Sequence, residues 1–186
     1  TYVPPPVKEM QQALTDWEKY LNAQPKEPVL IQCAYMHYQF EAIHPFLDGN
    51  GRVGRLLITF LLCEREILSQ PLLYLSAYFE RHRDEYYQRL LAVSQKGDWR
   101  GWLEYFLRGI IVQSQEALES AKAIIDLHTD LVAKVESKRA PHTARRILDH
   151  LFTNPIITIH GLARIWELEY QTVQRGALYL ETVSYT

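Results

Sequence analysis

Four side chains that can do chemistry fall within one short segment, His44-Pro-Phe-Leu-Asp-Gly-Asn-Gly-Arg-Val-Gly-Arg55. They are His44, Asp48, Arg52 and Arg55. Gly49, Asn50 and Gly51 can open the backbone into a turn with free N–H groups. A helix beginning at once aims its N-terminal amides and its dipole at the same spot. Arg52 and Arg55 lie three apart, on one face of the first helical turn. Two guanidiniums beside an N-terminal nest of amides make a site for polyphosphate. Next to polyphosphate, a lone carboxylate such as Asp48 suits Mg²⁺ better than general-base work. Mg²⁺ takes one or two carboxylates and fills its shell with phosphate oxygens and water. His44 is the only base in the segment with a neutral-range pKa. Taken singly, each residue has a bland reading as a turn glycine, a solvated cation or a packed histidine. The combination in one segment is what argues for a site.

Gly49 to Gly54 also fits the dinucleotide fingerprint G-x-G-x-x-G. That reading needs a strand before the first glycine and a parallel strand after the helix. Helical periodicity lies on both sides here, so it fails. A kinase glycine loop needs valine after the third glycine, where Arg55 stands. A Walker loop needs Gly-Lys-Ser/Thr, which is absent.

The positioning elements read as helices throughout. Pro4 to Pro6 force an extended entry. Val7, Met10, Leu14, Trp17 and Leu21 recur at helical spacing. Val29 to Ile43 is apolar on most sides and reads as a central helix. Arg52 to about Glu66 is a third. Helices are expected over Arg81 to about Lys96, Trp99 to Ser114, and Glu116 to about Val135, with Gly97-Asp98 a turn. Five cations against one acid between Lys134 and Arg146, around Ala140-Pro141, suggest a boundary: residues 1–135, then a tail over 136–186. In the tail Thr158 can cap a helix to Trp166. Leu168 and Tyr170 to Glu181 complete a helix-turn-helix pattern, with Val173, Ala177 and Leu180 inward. The fold class is all-α.

The 186 residues are 47% hydrophobic and 23% charged, with net charge −2. That balance gives no whole-chain field toward nucleic acid or membrane. No apolar run is long enough to span a bilayer. Cys33 and Cys63 read as reduced thiols of a cytoplasmic protein. The first residues look like the end of an extended segment, so the chain reads as a piece of a longer protein.

The segment resembles the Fic motif, H-x-F-x-(D/E)-G-N-G-R-x-x-R, at every fixed position. QFEAI before it, RLL after it, and HRDEYYQRLLAV and GDWRGWLEYFL downstream are also similar to that family. The resemblance covers roughly residues 1 to 135. The tail resembles the winged-helix extension of many bacterial members. It implies a Fic-type helical bundle and adenylyltransfer, in which ATP–Mg²⁺ donates AMP to a Ser, Thr or Tyr hydroxyl of a target protein. Carried over by motif position, His44 takes the hydroxyl proton and Asp48 holds Mg²⁺. Gly49, Asn50 and Gly51 form the anion hole, with Asn50 facing the α-phosphate. Arg52 faces the β-phosphate, Arg55 the γ-phosphate, and Phe46 is buried and fixes the loop. Tyr86, Tyr87 and Gln95 stand where the family lines its adenine pocket. A phosphotransferase branch carries lysine at the position of Gly51, and this chain does not.

Two family features are incomplete. The inhibitory signature (S/T)-x-x-x-E-(G/N) is matched only by Ser76 to Glu80, with Arg81 following instead of Gly or Asn. The target-docking flap is represented only by Thr1 to Val3, read as its last strand. The alternatives are another nucleotide or phosphate-group transferase of the family, or a DNA-binding regulator acting through the tail. Residues 139–186 carry five cations and four acids, and only Arg175 is basic in the second helix of the tail pattern. That balance favours protein docking or homodimerisation over DNA. Self-modification is a further expected outcome.

Overall fold

The computed structural model describes residues 3–23, 26–137 and 140–184, and all its elements are helices. They are α1 (Val7–Asn22), α2 (Val29–Ile43), α3 (Asn50–Glu64), α4 (Leu75–Arg81), α5 (Arg83–Lys96), α6 (Trp99–Ser137), α7 (His142–Thr153), α8 (Ile159–Trp166) and α9 (Tyr170–Ser184). The chain divides into two compact units, Thr1–Ala117 and Leu118–Thr186.

In the first unit α2 is the central helix, as its all-round apolar sequence requires. It buries Cys33, Ala34, Met36, Phe40 and Ile43, together with the polar Gln32 and His37. Its neighbours are fastened to its backbone by two indoles. Trp17 of α1 donates to the Met36 carbonyl at 3.0 Å, and Trp102 of α6 donates to the Ala34 carbonyl at 3.0 Å. Trp99 packs edge-on against Tyr38, with ring centroids 4.8 Å apart. Gly97, at φ 66°, closes α5 in the left-handed conformation that a C-terminal cap needs. Asp98 then accepts from the Gly101 amide at 3.0 Å and caps the start of α6.

Three elements differ from the sequence expectation. The third helix starts at Asn50, two residues before Arg52, because Gly49 already turns the chain. A separate helix, α4, precedes α5. Leu75, Tyr78 and Phe79 bury its inner face, and His82 interrupts the helical dihedrals between the two. The Arg81 guanidinium grips the Glu116 carboxylate with both nitrogens at 2.6 Å, fixing α4 against α6. The two helices expected around residue 115 are one, α6, since neither Ser114 nor Gln115 is a breaker.

The second unit packs α7 and α8 against α9. Thr158 accepts from the Gly161 amide at 3.1 Å, the cap expected for α8. Ile147, Leu162 and Val173 are its buried centre, with Ala177 and Leu180 against them. The last turns of α6 join this unit through Val135, which packs on Ala144 and Leu148. The compositional boundary expected at 135/136 therefore differs from the point where the compact units divide. No strand occurs among the described residues, so a winged-helix form of the tail is not seen. Of the expected flap strand, Thr1 and Tyr2 lie outside the described residues, and Val3 belongs to no strand. Lys138 and Arg139 of the basic stretch also lie outside them.

Trp102 is fully buried. Trp102→Phe keeps an aromatic ring there but removes the bond that ties α6 to the Ala34 carbonyl, which keeps only its helical partner. The loss should cost about 0.5–1.5 kcal/mol, read as a lower urea midpoint of unfolding.

Candidate functional site

The segment of interest joins two packed helices, α2 and α3. His44 ends α2 in the left-handed conformation, φ 51°, and donates its amide to the Phe40 carbonyl at 3.0 Å. A non-glycine residue in that conformation is strained and must be held by its surroundings. The loop is closed by Asn50, which is only 2% exposed. Its Oδ1 accepts from the Phe46 amide at 2.9 Å, and its Nδ2 donates to the Phe46 carbonyl at 2.6 Å. Gly49, at φ 86°, then turns the chain into α3, a conformation a side chain would strain. Asp48 Oδ1 accepts from the Gly49 amide at 2.6 Å. The first amides of α3 are left without intrahelical acceptors and face the same space.

That space is a cleft lined by His44, Leu47, Asp48, Gly49, Asn50, Gly51, Arg52 and Arg55 from the segment, and by Phe79, Glu80, Arg83, Tyr86 and Tyr87 from α4 and α5. Arg52 and Asp48 pair at 3.1 Å, with side chains 75% and 91% exposed. Such a pair is weak and screened, so it yields readily to a charged ligand. His44 Nδ1 lies 3.3 Å from the Glu41 carbonyl. A carbonyl only accepts, so this contact favours the tautomer with the proton on Nδ1 and makes Nε2 the basic nitrogen.

Beneath the cleft is a polar cluster inside an aromatic core. His37, fully buried, has its Nε2 2.9 Å from the Tyr86 hydroxyl. Burial pushes the His37 pKa down to about 4, so it is neutral under ordinary conditions. Burial likewise raises Tyr86 well above the usual phenol value. Tyr86 is thus a floor residue with a committed hydroxyl. Tyr87 stands at the edge, half exposed, with the Arg83 guanidinium 5.8 Å from its ring centroid.

Most of the expected residues are therefore brought together. Two expectations need correction. Gln95 is exposed near the end of α5 and is not among the residues lining the cleft. The helical rise carries it about 12 Å beyond Tyr87. Phe46 is not buried: it is 51% exposed, its ring centroid 6.3 Å from that of Phe40. The loop is fixed by the Asn50 amide instead, which also means that the Asn50 side chain is engaged with backbone as it stands. Sequence reasoning missed Glu80 and Arg83. Arg83 was findable, because it sits one helical turn before Tyr86 and Tyr87. Glu80 closes the partial inhibitory match at Ser76, and its carboxylate lies 3.9 Å from Arg83. It was hidden because α4 itself was not expected.

Asp48 fits a Mg²⁺ ion. It is an exposed oxygen donor beside the anion nest, and Mg²⁺ needs few protein ligands when phosphate supplies the rest. No group of three His, Cys, Asp or Glu side chains that could hold a metal alone occurs among the described residues.

Residues 1–62 match the model of the Fic/DOC family. Over those residues, about a third of its length, the chain is similar to that family. It is 30% identical over 106 residues to a protein adenylyltransferase Fic of Drosophila persimilis, covering 56% of this chain and 20% of that protein. It is 33% identical over 108 residues to the protein adenylyltransferase Fic of Aedes aegypti, with the same shares. A probable protein adenylyltransferase of Aquifex aeolicus is 35% identical over 68 residues, 37% of this chain and 21% of that protein. The chain spans about a fifth of the length of these relatives. No helix among the described residues is long and apolar enough to cross a membrane.

The loop should depend on Asn50. Asn50→Ala leaves the Phe46 amide and carbonyl without their partner and should cost about 1–3 kcal/mol in denaturant unfolding.

Proposed function

We propose that the chain is a Fic domain that transfers AMP from ATP to the hydroxyl of a Ser, Thr or Tyr in a target protein. The observation that carries this reading is the convergence of His44, Asp48, an N-terminal amide nest, Arg52 and Arg55 on a single cleft. The adenylyltransferase names of the relatives support it.

In this reading the phosphates lie along the first turn of α3. The amides of the Gly49–Gly51 turn receive the α-phosphate, Arg52 the β-phosphate and Arg55 the γ-phosphate. Charge developing on the non-bridging oxygens in the transition state meets donors already in place. Asp48 would hold Mg²⁺ beside the phosphates, where the ion would supply charge neutralisation. Arg52, now paired with Asp48, would exchange that partner for phosphate. His44 Nε2 takes the proton as the target oxygen bonds to the α-phosphorus. The bond from that phosphorus to the bridging oxygen breaks, and pyrophosphate leaves. Tyr86 and Tyr87 would present apolar wall to the adenine. Arg83 adds a third guanidinium at the cleft's edge.

A cytoplasmic setting is in keeping with the two free cysteines. The tail is proposed as a protein-docking or dimerising unit, because Arg175 is the only cation of α9.

His44→Ala should lower transfer by about 10²–10⁴-fold, the usual contribution of a general base. ATP binding, measured by calorimetry, should be nearly unchanged, since His44 makes no phosphate contact in this reading. Intact-mass analysis of the chain after incubation with ATP and Mg²⁺ reads self-modification directly. A mutant that still transfers at the wild-type rate would remove His44 from the mechanism.

A further inference from the structure

Glu41 is a carboxylate that the proposed mechanism leaves unused. It follows His37 by four residues on α2 and precedes His44 by three, so all three share one helix face. Its Oε1 is buried and has no hydrogen-bond partner. Two glycines of α3 leave room for that oxygen. A Cβ built on Gly54 would stand 2.7 Å from Glu41 Oε1, and one built on Gly51 would stand 3.7 Å from it. The same Cβ on Gly51 would stand 3.0 Å from Arg55 Nη1. The carboxylate of Glu41 and the guanidinium of Arg55 therefore flank one backbone position at the floor of the anion nest. Burial raises the Glu41 pKa, while the charges of Arg55 and His44 act in the opposite sense.

An orphaned carboxylate oxygen inside a protein is costly, and its persistence beside a cation asks for a reason. Arg55 is a long side chain with several rotatable bonds, and immobilising it on a phosphate costs rotamer entropy. The Glu41 carboxylate, across Gly51 from the guanidinium, favours the rotamers that keep Arg55 beside it before the ligand arrives. Repulsion between Glu41 and an incoming phosphate works against this. The phosphate would meet the guanidinium rather than the carboxylate, so the attraction acts over the shorter distance.

We infer that Glu41 is a positioning residue. It presets Arg55 for the third phosphate of the nucleotide, so that the site selects a nucleoside triphosphate over a diphosphate. The inference rests on the reading of Arg55 as the γ-phosphate ligand. Gly51 and Gly54 are part of the same device, because side chains there would displace the carboxylate or the guanidinium.

The test is calorimetric binding of ATP and of ADP, each with Mg²⁺, to the wild-type chain and to Glu41→Gln, Arg55→Ala and the double variant. Glu41→Gln should weaken ATP binding about tenfold, within what lost arginine preorganisation can account for. ADP binding should stay within about twofold. In the Arg55→Ala background, Glu41→Gln should have no further effect on ATP. A merely structural role would loosen ADP as much as ATP and would persist without Arg55; either result overturns the inference. Tighter ATP binding by Glu41→Gln would also overturn it, by making the carboxylate a competitor of the phosphate. Should Glu41→Gln fail to fold by circular dichroism, Glu41→Asp carries the same measurement. It should give an intermediate loss, whereas wild-type ATP binding by Glu41→Asp contradicts the inference. A wild-type chain that binds no ATP sinks the nucleotide reading, and this inference falls with it. Wild-type binding that discriminates ATP from ADP, with Glu41→Gln discriminating equally, sinks the inference alone.

Discussion

The site depends on one amide. Asn50 opens α3 and at the same time reaches back four residues to bond both backbone groups of Phe46. Those two hydrogen bonds are partly buried, so the loop cannot relax without weakening the pairing of those groups. They set the direction in which α3 starts, and so the direction of its free amides. They also place Arg52 and Arg55 one turn further on. The same closure holds His44 at the strained end of α2. His44 and the first amides of α3, from two different helices, can then face one cleft. A motif with asparagine between two glycines makes sense on this ground alone. One glycine adopts a positive φ, and the other lies tight against the Arg55 guanidinium.

Around that loop the packing supplies rigidity rather than chemistry. Two indole donors tie α1 and α6 to the carbonyls of α2. The floor of the cleft is an aromatic core, with His37 stacked on Phe79 and Trp102 at centroid distances of 5.5 and 6.1 Å. The His37–Tyr86 hydrogen bond gives that floor one defined polar contact. The proposed in-line displacement would gain from such a floor, because misplacement of about 1 Å can cost 10²-fold in rate.

Much of this was legible in the sequence because the signals were local. His44, Asp48, the glycines and the two arginines are contiguous, so their convergence follows from a single helix–turn–helix-start geometry. The Gly97-Asp98 turn and the Thr158 cap were legible for the same reason. What escaped was tertiary. The stretch from Leu75 to Arg81 is short and lies after Pro71, and its helix is held by Glu116, 35 residues away from Arg81. Without that helix, Glu80 and Phe79 could not be placed at the cleft. The resemblance suggested a buried Phe46, but exposure depends on what covers a side chain, and no described element covers this one. Gln95 failed for a simpler reason: placement in a sequence block does not fix which turn of a helix faces the ligand. Glu41 was visible as a residue and invisible as a device, since its orphaned oxygen appears only when α2 and α3 are packed together.

The central claim is that the cleft directs attack at the α-phosphorus. Parallel incubations of the chain with α-labelled and γ-labelled ATP, with Mg²⁺ and a cell lysate, test it most directly. The account predicts protein-bound label from the α position only, lost in His44→Ala. Label from the γ position only would mean phosphoryl transfer and would contradict it.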